Sequence, residues 1–302
     1  MHLFTNPAWL TPFRFDYARY EDIPDSVFDA VNRDLDRVQS STPAVSVMIA
    51  AYNEEVNILR CLASLSKQKT TVPFEIIVIN NNSADKTQQT LDRLHVKSLF
   101  EKKQGCGPAR QFGQENAAGT YILLADADCF YPDCWVDKMM KVLAKPGVVC
   151  VYGRYSFISE PGFPRWKLAL LEVMKDAVAE FRQIKRPYLN AYGISMGYVK
   201  EYGLKVGFII TNFWGDDGRL CLDLMPYGKV RQVRSNKARA WTGPRTLQRS
   251  GTFGQALVER VWKELSWQFS LYFSQRQPTD LDDPKFAKKT SPTPTSDSYE
   301  SV

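Results

Sequence analysis

Tyr121-Ile-Leu-Leu-Ala-Asp-Ala-Asp128 decides how the rest of the chain is read. An apolar run of this length and content predicts a buried strand, and two aspartates sit where that strand should end. Residues two apart in an extended chain point the same way, so Asp126 and Asp128 face one side at the strand's exit. Two carboxylates on one side suit a hard divalent cation such as Mg²⁺ or Mn²⁺, whose open positions a diphosphate can fill. Taken alone, such a pair is more often a turn or a helix cap.

The sequence on either side repeats one arrangement. Val45–Ala51 is a β-rich run followed by Tyr52-Asn53-Glu54-Glu55 and a helical spacing of Val56, Leu59, Leu62 and Ala63. Asn53 reads as the helix N-cap, with Glu54 and Glu55 at the positive helix end. Phe74–Ile79 is a second buried strand, ending in the polar turn Asn80–Thr87 before another helix, and Val96–Phe100 reads as a third short strand. Strand–helix alternation implies parallel pairing, with a ligand face at the strands' C-terminal ends. The next helix opens at Gly105-Cys-Gly-Pro-Ala-Arg110. A basic residue and free backbone N–H groups at a helix start suit a phosphate, although this is neither a Walker loop nor a dinucleotide fingerprint.

Beyond Asp128 the spacing predicts a helix over Pro132–Ala144, a strand at Val148–Tyr152, and a long amphipathic helix over residues 165–182. Ala169, Leu170, Met174, Val178 and Phe181 are expected on the inward face of that helix. Phe213-Trp-Gly-Asp-Asp-Gly-Arg-Leu220 opens a further helix. Two acids in a first turn are ordinary dipole partners, and a carboxylate beside an aromatic there can also serve as a general base. Residues 253–272 form an amphipathic helical pattern with several aromatics, and from Gln277 the composition is that of a disordered tail.

Composition narrows the classes of function. The 302 residues are 44% hydrophobic and 24% charged, which is ordinary for a globular protein. A net charge of +6 favours acidic ligands without demanding any. Basic residues are dispersed with no interleaved aromatics, so no nucleic-acid partner is expected. No apolar run approaches a membrane span, and the N-terminus lacks the order of a signal peptide. The six cysteines form no C-x-x-C pair and read as reduced thiols in a cytoplasmic protein. The two histidines, His2 and His95, lie far apart, which argues against zinc hydrolysis and Ser-His-Asp chemistry.

Five motifs together, from about Val45 to Leu224, resemble family-2 inverting glycosyltransferases. They are Ala50-Ala-Tyr-Asn-Glu-Glu55, Ile79–Thr87, Gly105-x-Gly-x-x-Arg110, Ala125-Asp-Ala-Asp128 and Gly215-Asp-Asp-Gly-Arg-Leu220. The resemblance implies a GT-A fold: an α/β, Rossmann-like, mostly parallel central sheet flanked by helices, with acceptor-side helices after the sheet. It divides the chain into an extension (1–42), a catalytic domain (43–245), an amphipathic helix (246–276) and a tail (277–302). The nucleotide-sugar half of the domain would be 43–152 and the acceptor half 153–245.

The implied reaction is metal-dependent inverting transfer of a sugar from a nucleotide-diphosphate donor to a glycan or lipid-linked hydroxyl, in bacterial polysaccharide or glycolipid synthesis. Ala50, Tyr52 and Glu54 would line the nucleoside pocket, and Asn80 takes the place of a base-reading aspartate. Arg110 would lie near the phosphates, Asp126 at the ribose or metal shell, and Asp128 on the Mn²⁺ or Mg²⁺ ion. Asp217 matches the general base, with Asp216 before it on the acceptor-binding side. Trp214, Tyr192 and Met196 are candidate acceptor walls. Any peripheral contact with the inner face of the plasma membrane would come from the C-terminal aromatic helix or the acceptor. The competing readings are a non-catalytic nucleotide-sugar or partner-binding protein and a nucleotidyltransferase. Intact Asp126, Asp128 and Asp217 argue against the first, and Tyr52-Asn-Glu-Glu55 in place of a glycine-rich loop against the second.

Overall fold

The computed structural model of the chain describes residues 3–210 and 215–245. Trp214, the 246–276 helix and the 277–302 tail therefore lie outside the described residues.

The β-rich runs become strands β1 (Val45–Ala51), β2 (Phe74–Asn80), β3 (Lys97–Phe100) and β4 (Tyr121–Asp126). The short strand β5 (Cys129–Phe130) follows, then β6 (Val148–Tyr152), β7 (Tyr155–Phe157), β8 (Met196–Val199), β9 (Lys229–Gln232) and β10 (Ala240–Thr242). Seven of these form one sheet in the order β3-β2-β1-β4-β8-β6-β9, and β5, β10 and β7 form a second. The large sheet is parallel except for β8, which runs antiparallel to both β4 and β6. This is the mostly parallel α/β architecture expected from the sequence.

The helices are α1 (Asp25–Val38), α2 (Asn57–Leu65), α3 (Thr87–Asp92) and α4 (Cys106–Asn116) in the first half. They are α5 (Trp135–Leu143), α6 (Arg165–Lys185), α7 (Lys200–Val206) and α8 (Asp216–Leu224) in the second. Alternate residues of β1 feed opposite faces, as pleating requires. Val45, Val47 and Ile49 join one core with Leu59 and Leu62 of α2 and with Phe28, Val31 and Leu35 of α1. The intervening Met48 packs toward Gly113 of α4 on the other face. The N-terminal extension thus packs on the outside of the core.

A glycine contact fixes how closely β1 and the entry to β4 approach. A Cβ built on Gly119, just before β4, would stand 2.6 Å from the backbone at Val45 and Ser46. Gly119→Ala is therefore expected to destabilise the fold by about 1–3 kcal/mol, because backbone must move to admit the methyl. Chemical denaturation would show a lower midpoint, and an unchanged one would refute the tight approach.

Helix α6 corrects the expected face. Ala169 is buried, but Leu170 is 51% and Phe181 65% exposed, and Met174 and Val178 are only half-buried. Charged side chains turn inward instead. Arg165 pairs with Glu172 at 2.7 Å, and Glu172 also accepts from Ser156 Oγ (2.9 Å) and Phe157 N (2.8 Å). Asp176 pairs with Arg239. These acids take up donors of β7 and of the approach to β10, and buried donors need partners more than apolar side chains need burial.

Candidate active site

Register places the functional residues side by side. In the parallel ladder Ala50 of β1 sits opposite Asp126 of β4, and Ala51 sits opposite Asn80 of β2. Three strands therefore end on one edge, and their loops make the site.

The first two loops are stitched to each other. Asn53 adopts a left-handed backbone (φ 55°), and its Oδ1 accepts from Ala84 N at 2.8 Å. Glu54 N donates to Thr87 Oγ1 (2.8 Å), and Lys86 N donates to Glu55 Oε2 (3.1 Å). Asn53 is thus not the N-cap of α2, which starts four residues later. It ties the two strand-end loops together.

A cavity of about 270 Å³ opens beside them, lined by Ala50, Tyr52, Asn81, Gln104, Gly105 and Cys106 among others. Ala50 and Tyr52 line it, with Tyr52 50% exposed, whereas Glu54 is not part of its wall. Asn80 does not reach the cavity. It is buried, its Oδ1 accepts from Ser83 N (3.1 Å), and its Nδ2 donates to Gln88 Oε1 (2.8 Å). Its neighbour Asn81 lines the cavity instead, and Asn81 Oδ1 accepts from Gly105 N at 2.8 Å.

The second cluster is built on Arg110. Its side chain is only 6% exposed, and its guanidinium meets Asp216 (2.9 Å), Asp217 and Asp126 (3.5 Å). The other oxygen of Asp217 accepts from Gly193 N at 2.8 Å. A Cβ on Gly193 would collide with the Arg110 guanidinium, so only glycine admits this contact. Residues from α4, the end of β4, the turn before β8 and the start of α8 are drawn to one point. Burial pushes Asp217 up to about 6, opposed by Arg110, reinforced by Asp216 and opposed again by the Gly193 N–H. Burial likewise raises Asp126 to about 7, with Arg110 opposing. Water still reaches 40% of the Asp126 side chain.

Asp128 stands at the mouth, 29% exposed, and its Oδ2 lies 2.6 Å from Arg245. Glu54 shares that guanidinium at 3.0 Å. Among the described residues no three His, Cys, Asp or Glu side chains form a ready-made metal cage. The donors present, Asp126 and Asp128, are hard oxygens at a partly exposed mouth. They fit a divalent cation that completes its shell from a diphosphate and water.

Tyr192 is 40% exposed and packs edge-on to Tyr155 at 5.7 Å. Lys175 Nζ lies 3.1 Å from the Tyr155 ring centroid. Met196 is fully buried in β8, opposite Leu124 and Tyr152, so it presents no surface to an acceptor. Strand pairing, not a ligand, explains its position. Sequence reading missed Asn81, Gln104, Gly193 and Arg245. The Asn80–Thr87 turn and the Gly105 turn were the signals near the first two; Gly193 and Arg245 had none.

Fold and site together define a GT-A-type α/β protein, with its acidic cluster at the C-terminal edge of a mostly parallel sheet. The profile of glycosyl transferase family 2 matches residues 46–202, and the chain belongs to that family. Among curated proteins, the glycosyltransferase AglE of Haloferax volcanii is 31% identical over 128 residues, 39% of this chain and 41% of that protein. An uncharacterized glycosyltransferase of Haemophilus influenzae is 28% identical over 242 residues, 78% of this chain and 90% of that protein. The chain covers only 41% and 34% of the first two curated relatives it matches. Among solved structures, the mannosyltransferase PcManGT from Pyrobaculum calidifontis, in complex with GDP-Man and Mn²⁺, superposes with a TM-score of 0.52 at 16% identity. That match covers 84% of this chain and 79% of that one. TarS 1–349 of S. aureus with UDP-GlcNAc gives 0.51 at 17% identity, covering 66% and 58%.

Proposed function

We propose that the protein is a metal-dependent, inverting glycosyltransferase acting on a nucleotide-diphosphate sugar and a hydroxyl acceptor, either a glycan or a lipid-linked sugar. The observation that carries this reading is the convergence of Asp126, Asp217 and Arg110 on one edge of the sheet, with Asp128 beside them.

The 270 Å³ cavity takes the nucleoside, with Ala50 and Tyr52 on its wall and Asn81 in place of Asn80 as the amide nearest the base. Asp126 and Asp128 would hold the Mn²⁺ or Mg²⁺ ion, which would neutralise charge on the leaving diphosphate. Asp217 is the base. Gly193 N–H and Arg110 fix its two oxygens, so its orientation is set before any acceptor arrives. It takes the proton of the acceptor hydroxyl as that oxygen forms its bond to the anomeric carbon. The bond from that carbon to the diphosphate breaks on the opposite face, and the configuration inverts. A carboxyl raised to about 6 is a stronger base than a solvated aspartate and is still ionised at neutral pH. Tyr192, backed by Tyr155, offers the acceptor a wall.

The test is a thermal-shift panel with UDP, GDP, TDP and CDP, each with and without Mn²⁺, on the wild type and Asp128→Ala. A ligand that binds only the folded state raises its apparent stability, by about 2.7 kcal/mol at 100 Kd. One nucleotide should stabilise the wild type in the presence of metal, and Asp128→Ala should lose the effect. If no nucleotide stabilises the wild type, the non-catalytic partner-binding reading replaces this one.

A further inference from the structure

We propose that Arg245 is the resident counter-cation of the donor site. It holds Glu54 and Asp128 together while the site is empty, and it passes to the donor's diphosphate once a divalent ion takes Asp128. This rests on the donor-site reading above.

The geometry is specific. Arg245 Nη2 lies 2.6 Å from Asp128 Oδ2 and 3.0 and 3.3 Å from the two Glu54 oxygens. These partners lie 117 and 191 residues away in sequence, so the contact is made by the fold. The two carboxylates it joins come from the ends of β1 and β4, the same edge that carries Ala50 and Asp126. Without a cation between them, Glu54 and Asp128 would repel. Burial raises the carboxyl of Glu54, while Asn57 and Arg245 pull it down and Asp128 pushes it up.

Two other arginines nearby are engaged elsewhere. Arg110 is committed to Asp216, Asp217 and Asp126. Arg60 lines the adjoining cavity, but its guanidinium donates to Phe15 O, Tyr17 O (3.1 Å) and Asn57 Oδ1 (3.0 Å). Arg245 by contrast keeps 46% of its side chain in water. An ion pair this exposed contributes little, so a divalent ion can displace it at little cost. The guanidinium also has room to turn, because Arg245 and Asp128 both line a cavity of about 360 Å³. A diphosphate brings paired oxygens into the same mouth, and a guanidinium fork binds such oxygens two at a time.

The two roles predict effects of opposite sign. Mn²⁺ binding without nucleotide is measured from the free-ion signal in electron paramagnetic resonance. Binding of the stabilising nucleoside diphosphate is measured by calorimetry with Mn²⁺ present. Arg245→Gln is expected to bind Mn²⁺ alone about two- to fivefold more tightly, since a competing ion pair is gone. It is expected to bind the diphosphate about tenfold more weakly, the loss of a charge-assisted hydrogen bond. Arg245→Lys, which keeps the charge but not the fork, should fall between wild type and Arg245→Gln on both measurements. If the wild type binds the diphosphate with Mn²⁺ and either affinity is unchanged in Arg245→Gln, the proposal is overturned and the donor site stands. If the wild type binds none of UDP, GDP, TDP and CDP with Mn²⁺, the donor-site reading falls and takes the proposal with it.

Discussion

Asp217→Asn is expected to lower kcat for sugar transfer by about 10²–10⁴-fold, the range that general-base catalysis supplies, while leaving affinity for the nucleotide nearly unchanged. The amide is isosteric but has a single oxygen, so it keeps one of the two contacts, with Gly193 N–H or with Arg110, and turns its NH2 toward the other. What it lacks is a site for the acceptor's proton. The wild type should also show an acidic limb in its pH–rate profile. Asp217 must be ionised to act, so the rate rises as pH passes through about 6 and levels above it. Asp217→Asn should lose that limb. A variant that transferred sugar at the wild-type rate with unchanged binding would remove Asp217 from the reaction and leave the base to another group.

The second large effect concerns stability. Among the described residues, Arg110 is the counter-charge that Asp126, Asp216 and Asp217 share. Arg110→Met keeps the volume and removes the charge. Breaking a buried pair in this way typically costs about 3–5 kcal/mol, or roughly 6–20 °C in Tm for a domain of this size. The pH dependence carries a definite sign. The folded carboxyl of Asp217 lies above its ordinary 3.8. Its contribution to stability is therefore fully present below about pH 4 and is lost as pH rises through 6. Removing Arg110 raises these carboxyls further and deepens the loss. Melting curves should place Arg110→Met nearest the wild type in acid and furthest below it at neutral pH. A uniform offset across pH would mean that packing, rather than charge, is what Arg110 provides.

How much of this could be read from the sequence depends on how local each feature is. The strand before Asp126 was legible because a buried parallel strand must be apolar along its whole length. Its ending in two aspartates was legible because pleating puts them on one side. The Gly105 turn into Arg110 was visible for similar reasons. Asn80 was misread because its chemistry suits both a base and a turn, and only the fold shows that Ser83 N and Gln88 take up both ends of its amide. Gly193 and Arg245 gave no signal. One acts through a backbone N–H that any residue carries, and the other reaches carboxylates more than a hundred residues away. The inward face of α6 was misassigned because an apolar row and a charged row share the same period. Donors on β7 decide which row is buried.

Strand β8 has a consequence for how the chain comes to be folded. It sits between β4 and β6 in the finished sheet, yet it is made some seventy residues after β4. During synthesis β1 through β4 can pair as soon as they appear, but the far side of β4 stays an open edge until Met196–Val199 arrives. An apolar strand with one unpaired side is a template for pairing with another chain. The strand left waiting ends in Asp126, and the one that closes it follows directly after Gly193. Asp216 and Asp217 follow only after β8, so the step that seals the sheet sets Gly193 in place before those acids arrive, and until then the unfinished chain is sticky.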